Sequence, residues 1–583
     1  MTRLETTSVL IVGAGPAGLT AAALLARRGI DVITVSRHPG TAPQPRATIM
    51  NQRTVEVCRD LGIEEDVRGF AVPLHQLGHN VMATSLAGEE LFRYAAYGTE
   101  NRLSDYLASS PCDNFNAPQH LFEPVLLESA RGHGASVRFD NELMSIRQSA
   151  EGVEATVLDR HTQEEYVVRA TYALGADGAH SRVAEQVGAE FDGQPAEIHM
   201  LNAWFESDLT KHTAFRPSVM YLVMQPGGDS WVGSGTFVAV TPWTDWLLSR
   251  QYDPALGEID SSDEAVVAAV RSLAGEPDLE VKVKGTSVWQ VRRMVAERYR
   301  YGRIFLVGDA AHRHPPAGGL GMNTSVQDSF NLAWKLAAVL GGKARDALLD
   351  SYDQERQPVG RHMVDRTMTN LGYMAAVSEA LGMRAGQTAE EGWQALRELS
   401  SDSARGAERR GELFRAGSLQ NYRSNALGTE LGHRYVSDAI VDDGTPMPEP
   451  TRDPELYYEM TTNPGACLPH AWVEKDRQMI STLDLVGHGE FSLLVGIGAG
   501  PWIAAARRVA DELDIDLPVF SIGYHCPYDD VVGDWTRLRE VDDRGALLVR
   551  PDRHIAWRSM TVPESPEEAL LKALRKVLGV GER

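Results

Sequence analysis

The segment Val9 to Gly18 (VLIVGAGPAG) constrains this chain more than any other. Four consecutive apolar residues run into Gly-x-Gly-x-x-Gly, and Leu19 to Arg28 continues with helical spacing to a Gly29 stop. Strand, tight turn and helix in that order open a dinucleotide-binding βαβ unit. Gly13 permits the turn, Gly15 the close approach of a pyrophosphate to the backbone, and Gly18 the packing of helix on strand; Ala14, Pro16 and Ala17 complete the loop. The helix N-terminus adds partial positive charge beside the phosphates.

The next strand, Asp31 to Val35, should end in an acid that holds a ribose hydroxyl, but Ser36 and Arg37 stand there. A serine hydroxyl can still bond a ribose and Arg37 can lie beside adenine or phosphate; a solvated strand end is the plainer reading. The apolar run Val9 to Ala26, preceded by Arg3, has a signal peptide's superficial look, but its glycines and Pro16 favour the nucleotide loop. No other stretch approaches the ~20 apolar residues that span a bilayer. The expectation is a soluble, cytoplasmic protein with no membrane partner.

At 583 residues the chain has room for about three or four domains of ordinary size. Its 57 Lys and Arg against 80 Asp and Glu give a net charge of −23 with no dominant basic cluster, which argues against a nucleic-acid partner. Cys58, Cys112, Cys467 and Cys526 are scattered and include no CxxC pair, so neither zinc nor a disulfide framework is signalled. His312 and His314 lack further ligands at metal spacing, so no metal is expected.

Two later segments repeat the strand-then-glycine logic. Tyr172 to Arg182 (YALGADGAHSR) runs into Gly175, Asp177 and Gly178; Arg303 to His312 (RIFLVGDAAH) ends in Gly308 and Asp309 and leads into the loop 313–321 (RHPPAGGLG), then Met322 and Asn323. The spacing of apolar residues predicts a helix over 323–340. Together with the first glycine loop, these motifs are similar in order and spacing to the three fingerprints of class A flavoprotein aromatic hydroxylases. Segments 45–57 (PRATIMNQRTVEV), 118–130 (PQHLFEPVLLESA) and 220–228 (MYLVMQPGG) resemble the 2,4-dichlorophenol and 2-hydroxybiphenyl hydroxylase branch. That branch also contains natural-product tailoring enzymes, among them a piericidin-pathway hydroxylase acting on a pyridine ring.

The resemblance implies FAD as cofactor, NAD(P)H as co-substrate with NADPH favoured, and oxygen transfer from a flavin C4a-hydroperoxide to an activated aromatic ring. It places Arg46 on the pyrophosphate or ribityl chain, Gln119 on the ribityl chain, Asp177 beside the pyrophosphate, and Gly308 and Asp309 at a ribityl hydroxyl. The loop Pro316, Gly319, Leu320, Gly321, Met322 and Asn323 would approach the flavin ring, Pro316 from the catalytic side. No second strand-GxGxxG-helix unit exists for NAD(P)H; Gly496 to Gly500 reads as a turn. The signature of the related halogenases is not apparent, and a non-catalytic flavin-binding module remains an alternative.

Where the phenol-hydroxylating branch implies a histidine, an aspartate and an arginine, this chain has Thr48, Asn116 and Thr241. A neutral pocket suits a hydroxypyridine, pyridone or large apolar ring better than an acidic phenol. Tyr221 is the leading candidate for a hydroxyl aimed at substrate, with a core tyrosine as its alternative. Met50, Trp231, Phe237, Trp289 and Met294 complete the expected pocket, although aromatics on strands often belong to the core.

The expected fold class is α/β. A glutathione-reductase-type FAD domain (1–185 and 298–440, the latter with added helices) holds an inserted antiparallel sheet for substrate (186–297). A thioredoxin-like domain without CxxC follows (441–583). Pro358 is expected to punctuate the helices after 340, and Arg356 to pair with an acid. A homo-oligomer is expected, with a small aromatic substrate and O2 as partners.

Overall fold

The computed structural model describes residues 3–227, 234–384 and 386–581, the side chains at 195–197 and 256 excepted. Leu4–Val12 is a central strand of a parallel sheet, with Glu164–Gly175 on one side and Val32–Val35 on the other. Ile304–Leu306 and Ser136–Arg138 extend it, both parallel to their neighbours. Strands covered on both faces need continuous apolar runs, and Val9, Leu10 and Ile11 are completely buried. The register pairs Val12 with Gly175 and Gly175 with Leu306. Three motifs spread over some 300 residues therefore end side by side at the carboxyl edge of one sheet, where open α/β folds bind ligands.

Helix Pro16–Arg27 packs on helix Gly321–Leu340, which begins two residues before its expected start. Pro358 does not end a helix: it lies within Asp350–Leu381, where the neighbouring Arg356 and Val359 are buried. Tertiary packing there outweighs the one backbone bond a proline removes.

A second, eight-stranded sheet faces the first. Its order is His312–Arg313, Lys282–Ala296, Phe191–Glu206, Asp245–Tyr252, Gly235–Thr241, Ser218–Val223, His79–Ala83 and Glu90–Ala95. The inserted sheet is thus larger than residues 186–297, and it is mixed, because Ser218–Val223 runs parallel to His79–Ala83. The hairpin 79–95 is bounded by local turn glycines, but its pairing with a strand more than a hundred residues later has no local signal.

Near the C-terminus, Val519–Ser521, Ser492–Val495, Ala546–Val549 and Ile555–Ser559 form a four-stranded sheet backed by helices Gly500–Leu513 and Pro566–Val577. The run ALLVRPDRHIAWR forms a hairpin that turns near Arg553 in the left-handed region (φ 65°). Gly496 to Gly500 is the turn into helix Gly500–Leu513. A fully buried ion cluster of Lys335, Glu355 and Arg550, with Asp552, ties this part to helices Gly321–Leu340 and Asp350–Leu381. All four cysteines are free.

Candidate active site

A single continuous cavity of about 1370 Å³ runs from the carboxyl edge of the parallel sheet to the inner face of the mixed sheet. At its first end the glycines behave as their spacing requires. Gly13 has φ 111°, and a Cβ there would lie 2.1 Å from the Ala176 oxygen. One on Gly18 would lie 1.9 Å from the Gly13 oxygen. Gly15 differs: an added Cβ would meet nothing nearer than Glu123 Oε1 at 3.9 Å, so its backbone faces open space. This cradle fits a pyrophosphate. Ala14, Pro16, Ala17, Ser36, Arg37, Arg46, Gln119, Asp177 and Asp309 all line the same cavity, as do Pro316, Gly319, Leu320, Gly321 and Met322.

Three predicted cofactor residues act from behind the wall. Gly18 packs the helix, and Gly308 (φ 62°) makes the turn before Asp309. Asn323 accepts from the Asn51 N–H (3.0 Å) and the Thr54 hydroxyl (2.7 Å), and donates to the carbonyls of Ile49 (3.0 Å) and Gly319 (2.6 Å). It clamps the 45–57 segment to the loop before helix Gly321–Leu340.

Asp328 anchors that loop. Its carboxylate accepts from the Gly308 N–H at 3.1 Å and Arg356 Nε at 2.7 Å, and meets His312 Nε2 at 2.8 Å. Burial pushes the Asp328 carboxyl up, but Arg356 and His312 outweigh it and hold the group below the usual carboxylate range. Asp177 is raised instead, because burial dominates over its bonds from Ser181 and the Val183 N–H. Gln119 donates to Glu123 at 2.6 Å, and the Ala42 N–H caps the same carboxylate at 2.5 Å; burial raises Glu123.

The mouth is basic despite the chain's negative charge. Arg37, His38, His180, Arg292 and Arg313 line it. His38 and His180 are both held below the ordinary imidazole range, by burial first and then by nearby guanidinium groups: Arg37, Arg46 and Arg160 for His38, and Arg292, Arg313 and Arg37 for His180. Such a rim attracts phosphates.

At the sheet end, alternation decides which expectations hold. Thr48, Met220, Leu222, Thr236, Val238, Leu247, Ser249 and Trp289 line the cavity. Tyr221 and Phe237 are cross-strand partners on the opposite face. They belong to the core against helix Asp263–Ala274, and the Tyr221 hydroxyl meets the carbonyls of Thr213 (3.1 Å) and Arg216 (2.9 Å). Tyr221 therefore does not reach the cavity; a one-residue offset on a strand reverses the face.

Four other expectations are corrected similarly. Met50 is fully buried in the FAD-side core while Ile49 takes the cavity position. Thr241 ends its strand exposed to solvent. Met294 sits five residues past Trp289, off the cavity, and its sulfur accepts from Arg313. Asn116 is buried and donates to the carbonyls of Ala239 (3.0 Å) and Val240 (3.4 Å), fastening the 45–57 and 115–119 segments to the sheet. Trp231 lies outside the described residues.

Sequence reasoning missed Asp328, Arg423, Leu371 and Met374; the last three line the cavity from the helices after 340. Asp328 had a usable signal, being placed one turn or more into a helix whose other face is apolar. Arg423 had none. The pocket is consequently not neutral, as the exchange of Thr48, Asn116 and Thr241 had suggested.

A family model for the FAD binding domain matches residues 6–367, and one for the aromatic-ring hydroxylase C-terminal region matches residues 461–580. The 2,4-dichlorophenol 6-monooxygenase of Delftia acidovorans is 44% identical over 98% of both chains. The crystal structure of the flavin-dependent monooxygenase PieE with FAD and substrate aligns with TM-score 0.96 at 44% identity, over 99% of both chains. Aklavinone-11 hydroxylase with FAD and aklavinone aligns with TM-score 0.81 at 30% identity, covering 99% of this chain and 100% of that one. No helix among the described residues is long and apolar enough to cross a membrane. The chain belongs to the FAD-dependent aromatic-ring hydroxylases and is a flavin-dependent monooxygenase.

Proposed function

We propose that this monooxygenase hydroxylates an aromatic ring already bearing a hydroxyl or oxo group, of phenol or hydroxypyridine/pyridone type, in natural-product tailoring. The observation that carries the reading is the sheet-side wall. Met220, Leu222, Val238 and Leu247 give an apolar surface for a ring, and Thr236, Ser249 and Trp289 give it polar points. The similarity to a putative polyketide hydroxylase of Streptomyces halstedii, 34% identical over 98% of this chain and 97% of that one, supports the tailoring assignment.

When bound, FAD would supply the redox chemistry, hydride acceptance from NAD(P)H and dioxygen activation. The protein's part is to hold and exclude. The glycine cradle and Asp309 fix the cofactor, and Asp328 fixes the turn at Gly308. The N-terminus of helix Gly321–Leu340 would offer partial positive charge to a flavin ring held by the loop before it. The apolar wall keeps water from the reacting carbon. The arginine rim favours NADPH, whose extra phosphate it can pair. The proposal includes a cytoplasmic homo-oligomer, checked by fractionation and by light scattering.

A second reading, a catabolic chlorophenol hydroxylase giving catechols, is favoured by the 44% identity to the Delftia enzyme. A screen of NADPH oxidation with phenols and hydroxypyridines, hydrogen peroxide measured alongside, separates them. Product from a pyridone but not from chlorophenols supports tailoring, and the reverse selects the catabolic reading. Flavin retention without any substrate-stimulated oxidation indicates a binding module.

A further inference from the structure

Arg423 lies at the sheet end of the cavity and has no counterion among the described residues. It is 6% exposed and lines the same space as Met220 and Leu222. Nη2 rests 3.6 Å from the Met220 sulfur, a weak acceptor. Nη1 is buried and has no hydrogen-bond partner. No carboxylate among the described residues pairs with this guanidinium, whereas other buried arginines such as Arg356 and Arg550 each have one. The nearby Tyr97 hydroxyl does not neutralise it, because burial pushes that group up to about 12 and keeps it protonated.

The segment carrying Arg423 is also locked. The Tyr97 N–H donates to the Ser424 carbonyl at 2.7 Å, and Asn80 donates to the Ser424 hydroxyl at 3.1 Å. Asn425 donates to Ala95 at 2.9 Å and accepts from Gly98 at 3.0 Å. Burying an unpaired charge is costly, and a rigid support keeps it from relaxing toward water. A ligand that supplies an acceptor makes a charge-assisted bond that no protein group around Arg423 makes.

We infer that Arg423 is a substrate-recognition residue whose guanidinium takes an oxygen anion on the aromatic ring, so that the enzyme selects phenolate-type or enolised oxo-aromatic substrates over neutral aromatics. This rests on the proposed hydroxylation of an oxygenated ring. Substrate enters ionised, its proton left in bulk water. The cation then stabilises the electron-rich form of the ring without a protein base, which accounts for a cavity with Thr48 where the branch implies histidine.

The test uses holoenzyme and 4-nitrophenol, whose phenolate absorbs in the visible, against 4-nitroanisole as the neutral analogue. Wild type should bind 4-nitrophenol as the phenolate, with its apparent pKa lowered by about 1–3 units. Arg423→Gln should abolish that shift and weaken 4-nitrophenol binding about 10- to 100-fold, with 4-nitroanisole changed far less. Arg423→Lys should restore part of the shift. Flavin absorbance confirms that each variant is folded. The inference is overturned if wild type does not bind 4-nitrophenol or binds it unshifted, or if Arg423→Gln weakens both probes equally. Failure of the functional reading is seen separately, as an absence of hydroxylated product when the same shift is present.

Discussion

Arg356 Nε lies 2.7 Å from Asp328 Oδ1, with both side chains fully buried, and the other Asp328 oxygen holds the turn at Gly308. An ion pair on the helix side thus fixes the loop that presents Asp309 to the cavity. Asp328→Asn keeps the shape and leaves Arg356 uncompensated. The expected result is a loss of about 3–5 kcal/mol in urea unfolding, with reduced FAD occupancy on purification.

The same pair predicts a pH dependence. The folded Asp328 carboxyl titrates below its unfolded value, so its contribution is fully present above about pH 5 and fades as pH falls below about 4, toward the folded pKa. Thermal unfolding of wild type should lose stability on acidification, and Asp328→Asn should show a shallower acid limb between about pH 5 and 3.

The three glycines of the first loop should separate by role. Gly15→Val places its side chain in open cavity and should fold with little change in melting temperature while purifying without FAD. Gly18→Ala drives a methyl into the Gly13 carbonyl and should destabilise the fold itself. Melting temperature read beside flavin absorbance distinguishes the two.

Tyr221→Phe should leave kcat/KM for aromatic substrates unchanged and reduce stability by about 1–2 kcal/mol, the cost of two buried carbonyls losing their donor. A large fall in kcat at unchanged stability would return Tyr221 to the active site.

Much of the cofactor end was legible because a glycine pattern records backbone demands: Gly13 meets a left-handed turn, Gly18 a close helix–strand approach, and Gly15 leaves its backbone facing open cavity. The order of the three motifs also exposed their convergence, since parallel neighbours must share an edge. The substrate end was less legible. Choosing Tyr221 over Met220 and Leu222 required the face of a strand whose hydrophobic residues do not alternate, since SVMYLV is apolar on both sides. Arg423 and the hairpin 79–95 reach their places through long-range packing that no local pattern records.

The most direct measurement is mass spectrometry of the aromatic product after turnover with NADPH under ¹⁸O₂. The account predicts one ¹⁸O atom in a new ring hydroxyl, formed in step with NADPH oxidised, for an oxygenated aromatic substrate. NADPH consumption that yields hydrogen peroxide alone, or a product whose new oxygen comes from water, would contradict it.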